Sequence, residues 1–215
     1  MIIGFAGKAA SGKTTAARHV QKLLGDQVWI LPMASMLRRE VEDFLGKAGA
    51  ADKVALLYGD QQDKLTRFEI DEQRAKQHCP AWDSFIAENR DIQQHPARTT
   101  LSVRRILQWW GTEYRRAQDP DYWTEAWQDA LTEAVDHPPH VLVDDVRFVN
   151  EVQVIQQNGG ILIRVERPGF NGANDHSSEN SLDDFTGWSM VLQNDGSLEQ
   201  FLGQVESKVL TLLKS

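Results

Sequence analysis

The sequence predicts an α/β protein in which helices cover both faces of a parallel β-sheet. Three observations predict this fold: short apolar runs typical of buried strands, helical spacing of apolar residues between those runs, and a glycine-bearing turn after the first run. Strands that alternate with helices along a chain form parallel sheets, because each crossover helix packs against a face of the sheet.

The first strand and helix surround the glycine-bearing turn. Residues 1–6 form an apolar run that ends at Gly7 and predicts a buried strand. From Gly12 to Leu24 the apolar residues recur at three and four positions, which predicts a helix that ends before Gly25.

The same patterns predict the remaining elements. Residues 46–100 are polar, mixed in charge and weakly periodic, and for them we expect short helices and loops. Further strands are predicted at 28–31, 140–143, 161–165 and 190–192, and further helices at 34–45, 102–116, 121–135, 150–158 and 198–213.

Composition and charge limit the function classes. The 215 residues are 41% apolar and 25% charged, and no Pro/Gly linker divides them, so we expect one soluble domain over 1–215. The formal net charge of −8 argues against nucleic acid as the main partner. Cys79 is the one cysteine and the chain has neither a secretion-type N-terminus nor a long apolar run, which favours a cytoplasmic protein without a membrane partner.

The stretch GKAASGKT at residues 7–14 matches the phosphate-binding pattern G-x-x-x-x-G-K-[ST], the P-loop. Its backbone N–H groups can point inward toward a polyphosphate at a helix N-terminus, while the lysine adds charge near the β- and γ-phosphates. The threonine hydroxyl can bind Mg²⁺. The predicted ATP-binding residues are Gly7, Ser11, Gly12, Lys13, Thr14 and Thr15, with Thr14 also a magnesium ligand.

An acidic pair follows the predicted strand at 140–143. Asp145 is where a magnesium-organising acid is expected, holding the ion directly or through water. Asp144 is the competing candidate, and the pattern leaves the choice open. A P-loop and an acid define a nucleotide site, but motors, switches and small-molecule kinases share them.

Four further segments are informative: LQWWGTEYRRAQDPDYW, VDDVRFVNEVQVIQQNGGILIRVERPG, DHSSE and LQNDGSLEQF. They resemble segments of phage-type deoxynucleoside monophosphate kinases. Together with the P-loop they leave residues 46–100 unmatched.

The resemblance implies a P-loop NTPase-type fold that moves the γ-phosphoryl group of ATP onto the 5′-phosphate of a deoxynucleotide. It also implies a helical acceptor-binding region at about 33–120, a closing lid at about 164–182, and a possible homodimer. Asp175 and His176 are expected to anchor the lid or to cap the helix that follows it. In the second helix, Met33 to Arg38 replace the F-A-D-x-L-K expected of the family, so that Arg38 keeps a charge while Ser35 removes a carboxylate.

The site residues follow from the resemblance by position. Arginine suits a phosphate because its planar fork donates two parallel hydrogen bonds. Arg147 is expected to bind phosphate, with a structural pair to Glu151 as the alternative, and Arg167 is preferred to Arg164 as the lid arginine. The implied acceptor-binding residues are Arg38, Arg104, Gln108, Thr112 and Arg116, with a solvated helix face as the alternative for Arg104 and Arg116. The expected catalytic residues are Lys13 of the P-loop, Arg147 and Arg167. Asn194 and Gly196 are expected beside the adenine of ATP, with a plain turn as the alternative.

Two other functions stay open at this point. One is a P-loop kinase of another small acceptor, such as dephospho-coenzyme A or a sugar acid. The other, from a different class, is a nucleotide-dependent switch or an ATPase stimulated by nucleic acid.

Overall fold

The computed structural model of the chain describes residues 1–60, 62–89, 93–95, 98–169 and 180–214. The chain forms two compact units: the first consists of Met1–Met33 with Thr124–Ser215, and the second of Ala34–Trp123. Among the helices in the described residues, none has the length and apolar character that a membrane span requires.

Most elements begin and end within two residues of their predicted bounds. The strands are β1 (Ile2–Ala6), β2 (Val28–Ile30), β3 (Arg67–Asp71), β4 (Gln93–His95), β5 (Arg98–Ser102), β6 (His140–Val146), β7 (Ile161–Glu166) and β8 (Met190–Gln193). The α-helices are α1 (Lys13–Leu24), α2 (Ser35–Lys47), α3 (Ala55–Tyr58), α4 (Glu72–His78), α5 (Trp82–Glu88), α6 (Val103–Trp109), α7 (Tyr122–Glu133), α8 (Val149–Gln157), α9 (Leu198–Val205) and α10 (Thr211–Lys214). Two π-helical segments, Trp110–Arg116 and Glu206–Leu210, continue α6 and α9.

The first unit contains a five-stranded sheet in the order β2-β6-β1-β7-β8. Every neighbouring pair in it is parallel, which confirms the predicted fold class. The carboxyl ends of parallel strands meet at one edge of the sheet, and loops at that edge are where ligands of such folds bind. β1, β6 and β7 therefore bring the P-loop, the acidic pair and Arg167 to the same edge.

Apolar clusters cover both faces of this sheet. On β6, Leu142 packs in the cluster that contains Val20 of α1, while Val141 and Val143 pack in the cluster that contains Ile155 of α8. This alternation follows the two-residue period of a strand. Helices on both faces were predicted, and the two clusters confirm them.

The second unit contains a three-stranded antiparallel sheet in the order β3-β5-β4, which the sequence analysis did not predict. The expectation of only short helices and loops at 46–100 is therefore wrong for these strands, although α3, α4 and α5 do lie there. Phe68 and Ile70 on β3 are buried while Arg67, Glu69 and Asp71 are exposed. This two-residue alternation covers only five positions, so charged neighbours conceal it within a polar region.

Aromatic side chains build the core of the second unit. Trp82 lies 4.8 Å from Phe85 and 5.5 Å from Phe44, measured between ring centroids, and Phe85 lies 5.0 Å from Trp109. Tilted contacts of this kind are favourable beyond the apolar area they bury. Trp109, Trp110 and Trp123 of this unit are all buried.

Candidate nucleotide site and acceptor region

The P-loop needs glycine at both of its fixed positions. Gly7 has φ 140° and Gly12 has φ 113°, backbone conformations that other residues rarely adopt. A Cβ at Gly7 would lie 2.3 Å from the carbonyl oxygen of Val165, and one at Gly12 would lie 2.8 Å from Nδ2 of Asn194. The loop therefore passes directly against the end of β7 and against Asn194.

The N-terminus of α1 has the properties of an anion site. Gly12 caps it without a side-chain hydrogen bond, and the first turn contains no acidic residue. Thr14 and Thr15 are exposed there. The hydroxyl of Ser11 is buried and lacks a hydrogen-bond partner among the described residues. Uncapped N–H groups, the helix dipole and an unpaired hydroxyl all fit a bound phosphate.

Lys13 points back into the loop. Its side chain is buried, and Nζ donates to the carbonyl oxygens of Gly7 at 2.7 Å and of Lys8 at 2.8 Å. These bonds hold the ammonium group at the centre of the P-loop. A phosphate oxygen entering the loop would find the positive charge already in place.

A cavity of about 270 Å³ lies beside the P-loop in the first unit. Four cationic side chains line it together with Gly7 and Ser11: Lys8, Arg147, Arg164 and Arg167. The first unit is otherwise acidic, with 9 Lys and Arg against 16 Asp and Glu. Almost half of its cations thus line one cavity, together with Glu166 and Asp183, which pair with Arg164 and Lys8. The cavity keeps an excess of positive charge, which suits a polyphosphate.

The two arginines after β7 have different surroundings. Arg164 forms an ion pair with Glu166 at 3.0 Å and its guanidinium lies 5.5 Å from the ring centroid of Trp188. Arg167 instead donates from Nη1 to the carbonyl oxygen of Ala10 in the P-loop at 3.2 Å. Arg167 therefore contacts the phosphate-binding loop itself. The predicted lid at 164–182 lies largely outside the described residues, as do Asp175 and His176.

Glu151 is bound to backbone near Arg147. Its Oε2 accepts from the backbone N–H of Arg147 at 2.6 Å and of Phe148 at 3.1 Å, and the side chain is buried. The carboxylate thus caps α8 and fixes the chain direction where Arg147 leaves β6. The guanidinium of Arg147 lines the cavity.

The acidic pair lies within β6, where its register against β1 shifts between Gly4 and Ala6. Oδ1 of Asp145 accepts from the backbone N–H of Met33 at 2.7 Å. Asp144 is buried, and no other group in the described part of the chain forms a hydrogen bond or ion pair with its carboxylate. Carboxylate oxygens are the ligands that Mg²⁺ prefers, so the pair fits a divalent cation.

Asn194 contacts the P-loop from the C-terminal side of the unit. Its Nδ2 donates to the carbonyl oxygen of Ser11 at 2.8 Å, and its backbone N–H donates to Glu166 at 2.7 Å. Gly196 is exposed and precedes the capping box of α9 that Ser197 and Gln200 form. Two residues were expected beside adenine, and of these two described residues only Asn194 forms a hydrogen bond with the P-loop.

The residues implied for the acceptor all lie in the second unit and are half-buried. Arg38 lies on α2, Arg104 and Gln108 lie one turn apart on α6, and Thr112 and Arg116 lie on the π-helical segment Trp110–Arg116. α2 packs against both α6 and this segment. A role in acceptor binding remains a prediction for each of them.

Comparison with known proteins gives the family. A family model described as deoxynucleotide monophosphate kinase matches residues 50–205. The chain belongs to this family. A protein of Acanthamoeba polyphaga mimivirus, named as a proposed deoxynucleotide monophosphate kinase, is 27% identical over 224 residues that cover 97% of this chain and 96% of the relative. The deoxynucleotide monophosphate kinase of Escherichia phage RB69 is 30% identical over 112 residues, which cover 50% of this chain and 44% of the phage protein.

Membership of the deoxynucleotide monophosphate kinase family confirms the resemblance found in the sequence. The matched residues begin at position 50 and so include Arg104, Gln108, Thr112 and Arg116, but not the P-loop. The mimivirus relative matches nearly the whole chain. The motif and the geometry of the P-loop therefore support the nucleotide site, whereas the family assignment depends on residues 50–205.

Lys8, which the sequence analysis did not propose as a site residue, lies within the P-loop. Its Nζ lies 2.5 Å from Oδ1 of Asp183 and 3.0 Å from Oδ1 of Asn180, and its side chain lines the cavity. The lysine follows the first glycine of the P-loop, where the motif permits any residue. Its place in the cavity becomes visible only in the structure, where residues 180–183 lie beside the loop.

Proposed function

We propose that this kinase transfers the γ-phosphoryl group of ATP to the 5′-phosphate of a deoxynucleoside monophosphate. The bond between the γ-phosphorus and the β,γ-bridging oxygen breaks, a bond to an oxygen of the acceptor phosphate forms, and ADP and a deoxynucleoside diphosphate leave. The observation that carries the proposal is the P-loop, whose cavity is lined by four cations in an otherwise acidic unit.

The P-loop is the proposed ATP site. The uncapped N-terminus of α1 and the Ser11 hydroxyl supply donors for the β- and γ-phosphates, and Lys13 supplies a fixed positive charge. Asn194 supports the loop through its bond to Ser11. Because these donors are in place before the reaction, charge that moves onto the β-phosphate is stabilised without reorganisation.

Arg147 and Arg167 are the proposed ligands of the transferred group. Both line the cavity, and Arg167 already contacts Ala10. Their guanidinium groups can bind equatorial phosphate oxygens of the transition state in pairs. The acceptor phosphate is an anion at neutral pH, so the reaction needs no strong general base.

Thr14 and the acidic pair are the proposed magnesium ligands. Thr14 is exposed at the first turn of α1, and hydroxyl and carboxylate oxygens are the ligand types that Mg²⁺ prefers. When bound, the ion would neutralise charge on the β- and γ-phosphate oxygens.

A panel of acceptors tests the proposal. Purified protein is incubated with ATP, Mg²⁺ and each of the four common deoxynucleoside monophosphates, and nucleotides are separated by anion-exchange chromatography. We expect ADP and a diphosphate in equal amounts with at least one acceptor. The matched variant Lys13→Met should lower the rate at least about 100-fold, since it removes a preorganised charge.

The same panel decides between the alternatives. Dephospho-coenzyme A and a sugar acid are included as acceptors, and phosphorylation of either without any deoxynucleotide product would overturn the proposal. Folded protein that produces no diphosphate from any deoxynucleotide would do the same.

A further inference from the structure

A carboxylate in the second unit binds three donors from a distant part of the chain. Glu40 lies on α2, and its Oε2 accepts from the indole N–H of Trp110 at 2.9 Å and from Nε of Arg115 at 2.9 Å. Nη2 of Arg115 lies 2.9 Å from the same oxygen. The phenol of Tyr122 donates to Oε1.

Two aromatic rings also lie close to Arg115. Its guanidinium carbon lies 4.9 Å from the ring centroid of Tyr114 and 4.9 Å from that of Tyr122. Tyr114 in turn stacks on Trp109, with ring centroids 5.1 Å apart and planes 8° from parallel. A guanidinium that is held by a carboxylate and contacts two aromatic rings has little freedom to move.

The protonation states suit these contacts. Burial and then the hydrogen bond to Glu40 raise the pKa of Tyr122, so its phenol keeps the proton that it donates. Burial lowers the pKa of the Arg115 guanidinium, but the hydrogen bond to Glu40, the negative charge of Glu40 and the two neighbouring tyrosines together raise it above its ordinary value. The phenol of Tyr122 and the guanidinium of Arg115 therefore keep their protons at neutral pH.

This network joins the elements on which the implied acceptor residues lie. Trp110 and Arg115 belong to the π-helical segment that also contains Thr112 and Arg116, and Glu40 is two residues beyond Arg38 on α2. π-helical turns are rare and occur often at functional sites. Gly111 permits the close approach, because a Cβ there would lie 3.0 Å from a methyl group of Leu37.

We infer that Glu40 is a positioning residue for the acceptor nucleotide, which it serves by fixing the π-helical segment through Trp110, Arg115 and Tyr122. The inference rests on the proposed function. It also assigns Arg115 a role that is distinct from phosphate binding, because its guanidinium supports the segment. The affinity for the deoxynucleoside monophosphate thus depends on Glu40, although this carboxylate does not contact the nucleotide.

Titration calorimetry of the full chain with the preferred deoxynucleoside monophosphate tests this inference, with ATP titrated separately. We expect Glu40→Ala to weaken acceptor binding at least tenfold and to raise the acceptor KM similarly, while ATP affinity changes less than twofold. Glu40→Gln keeps an oxygen acceptor of the same size but loses the charge that holds Arg115, and should give a smaller loss. Asp43→Asn on the same helix breaks only the exposed pair with Lys47 and should match the wild type.

The outcomes distinguish a wrong proposed function from a wrong role for Glu40. If the wild type binds no deoxynucleotide, the proposed function fails and the inference fails with it. If the wild type binds one and the folded Glu40 variants bind it equally well, only the inference fails. Should Glu40→Ala not fold, Glu40→Gln and Tyr122→Phe decide, because a purely structural role would lower the melting temperature and leave their acceptor affinity at the wild-type value.

Discussion

Asp144 and Asp145 show how two adjacent carboxylates in one strand differ in their surroundings. Asp145 is bound to the backbone of Met33, whereas Asp144 is buried and, within the described residues, accepts no hydrogen bond. The sequence favoured Asp145 as the magnesium-organising acid. These different surroundings predict that substitution of Asp144 changes the magnesium requirement, whereas substitution of Asp145 changes the stability.

We expect Asp144→Asn to raise the Mg²⁺ concentration needed for half-maximal activity at least tenfold, with little loss of stability. Asp145→Asn should lower the free energy of unfolding by about 1 to 3 kcal/mol, since the amide can place a donor against the Met33 N–H. Denaturant unfolding without nucleotide and a magnesium titration of the rate measure the two effects. A normal magnesium requirement in Asp144→Asn would return the role to Asp145.

Cys79 gives a prediction for alkaline pH. Burial raises the pKa of its thiol to about 11, against the smaller lowering effects of a backbone hydrogen bond and the charge of Arg115. An unfolded thiol loses its proton near pH 8.5. The folded state therefore holds a proton that the unfolded state has released, and this contribution to stability is complete below about pH 8.5 and disappears as the pH rises through 11.

Cys79→Ala removes this titration. Wild type and variant are unfolded by urea at several pH values from 7.5 to 10.5, and we expect the wild type to lose stability more steeply above pH 9. The substitution also changes packing, but that change in the free energy of unfolding is the same at every pH and does not affect its slope against pH. Equal slopes, or rapid reaction of the native thiol with a disulfide reagent at pH 8, would contradict the prediction.

At the scale of elements, the P-loop depends on a close approach between two backbones. Gly7→Ala places a Cβ 2.3 Å from the carbonyl of Val165 at a φ of 140°, so β7 or the loop must move. We expect a loss of about 2 kcal/mol or more in the free energy of unfolding, together with weaker ATP binding. Urea unfolding and calorimetry measure both.

Gly25→Ala is the matched control for this prediction. Gly25 has φ 55° and no atom within 4 Å of the Cβ position, so only local strain of about 1 kcal/mol is expected. It ends α1 at the opposite end from the P-loop, and ATP binding should be unchanged. Equal effects of the two substitutions would show that strain, and not contact with β7, governs the loop.

Elements were predictable where their pattern is local. The P-loop, the five parallel strands and α1 follow from short periodic runs and glycines that the sequence displays directly. The antiparallel sheet of the second unit was missed, although Phe68 and Ile70 alternate with polar neighbours, because five positions in a charged region give a weak signal.

The bonds that join distant elements could not be predicted. Glu40 lies 70 to 82 residues before its partners, and a single sequence does not show which donor a carboxylate will meet. The π-helical segment also reads as a continuous helix in the sequence, since Trp109 and Trp110 are apolar in either geometry. Family resemblance supplied the acceptor residues, but only the structure showed what holds their segment.

At the scale of the whole molecule, the charges are unevenly distributed between the units. Residues 34–123 contain 14 Lys and Arg with 15 Asp and Glu, whereas the first unit contains 9 and 16. The first unit is therefore the main source of the net charge of −8, although four of its cations line the cavity beside the P-loop. Such an arrangement attracts a small polyphosphate and repels an extended one.

This distribution predicts the response to DNA. We expect neither single-stranded nor duplex DNA to raise ATP hydrolysis in the absence of acceptor, even at about 50 mM salt, where contacts to phosphate backbones are strong. A deoxynucleoside monophosphate added to the same reaction should start ADP formation, because the acceptor phosphate is the nucleophile. Phosphate release is followed with and without DNA, and Lys13→Met gives the background. A DNA-dependent rise that Lys13→Met abolishes would instead favour the nucleic-acid-stimulated ATPase, since the P-loop would then be serving a polymer and not a mononucleotide.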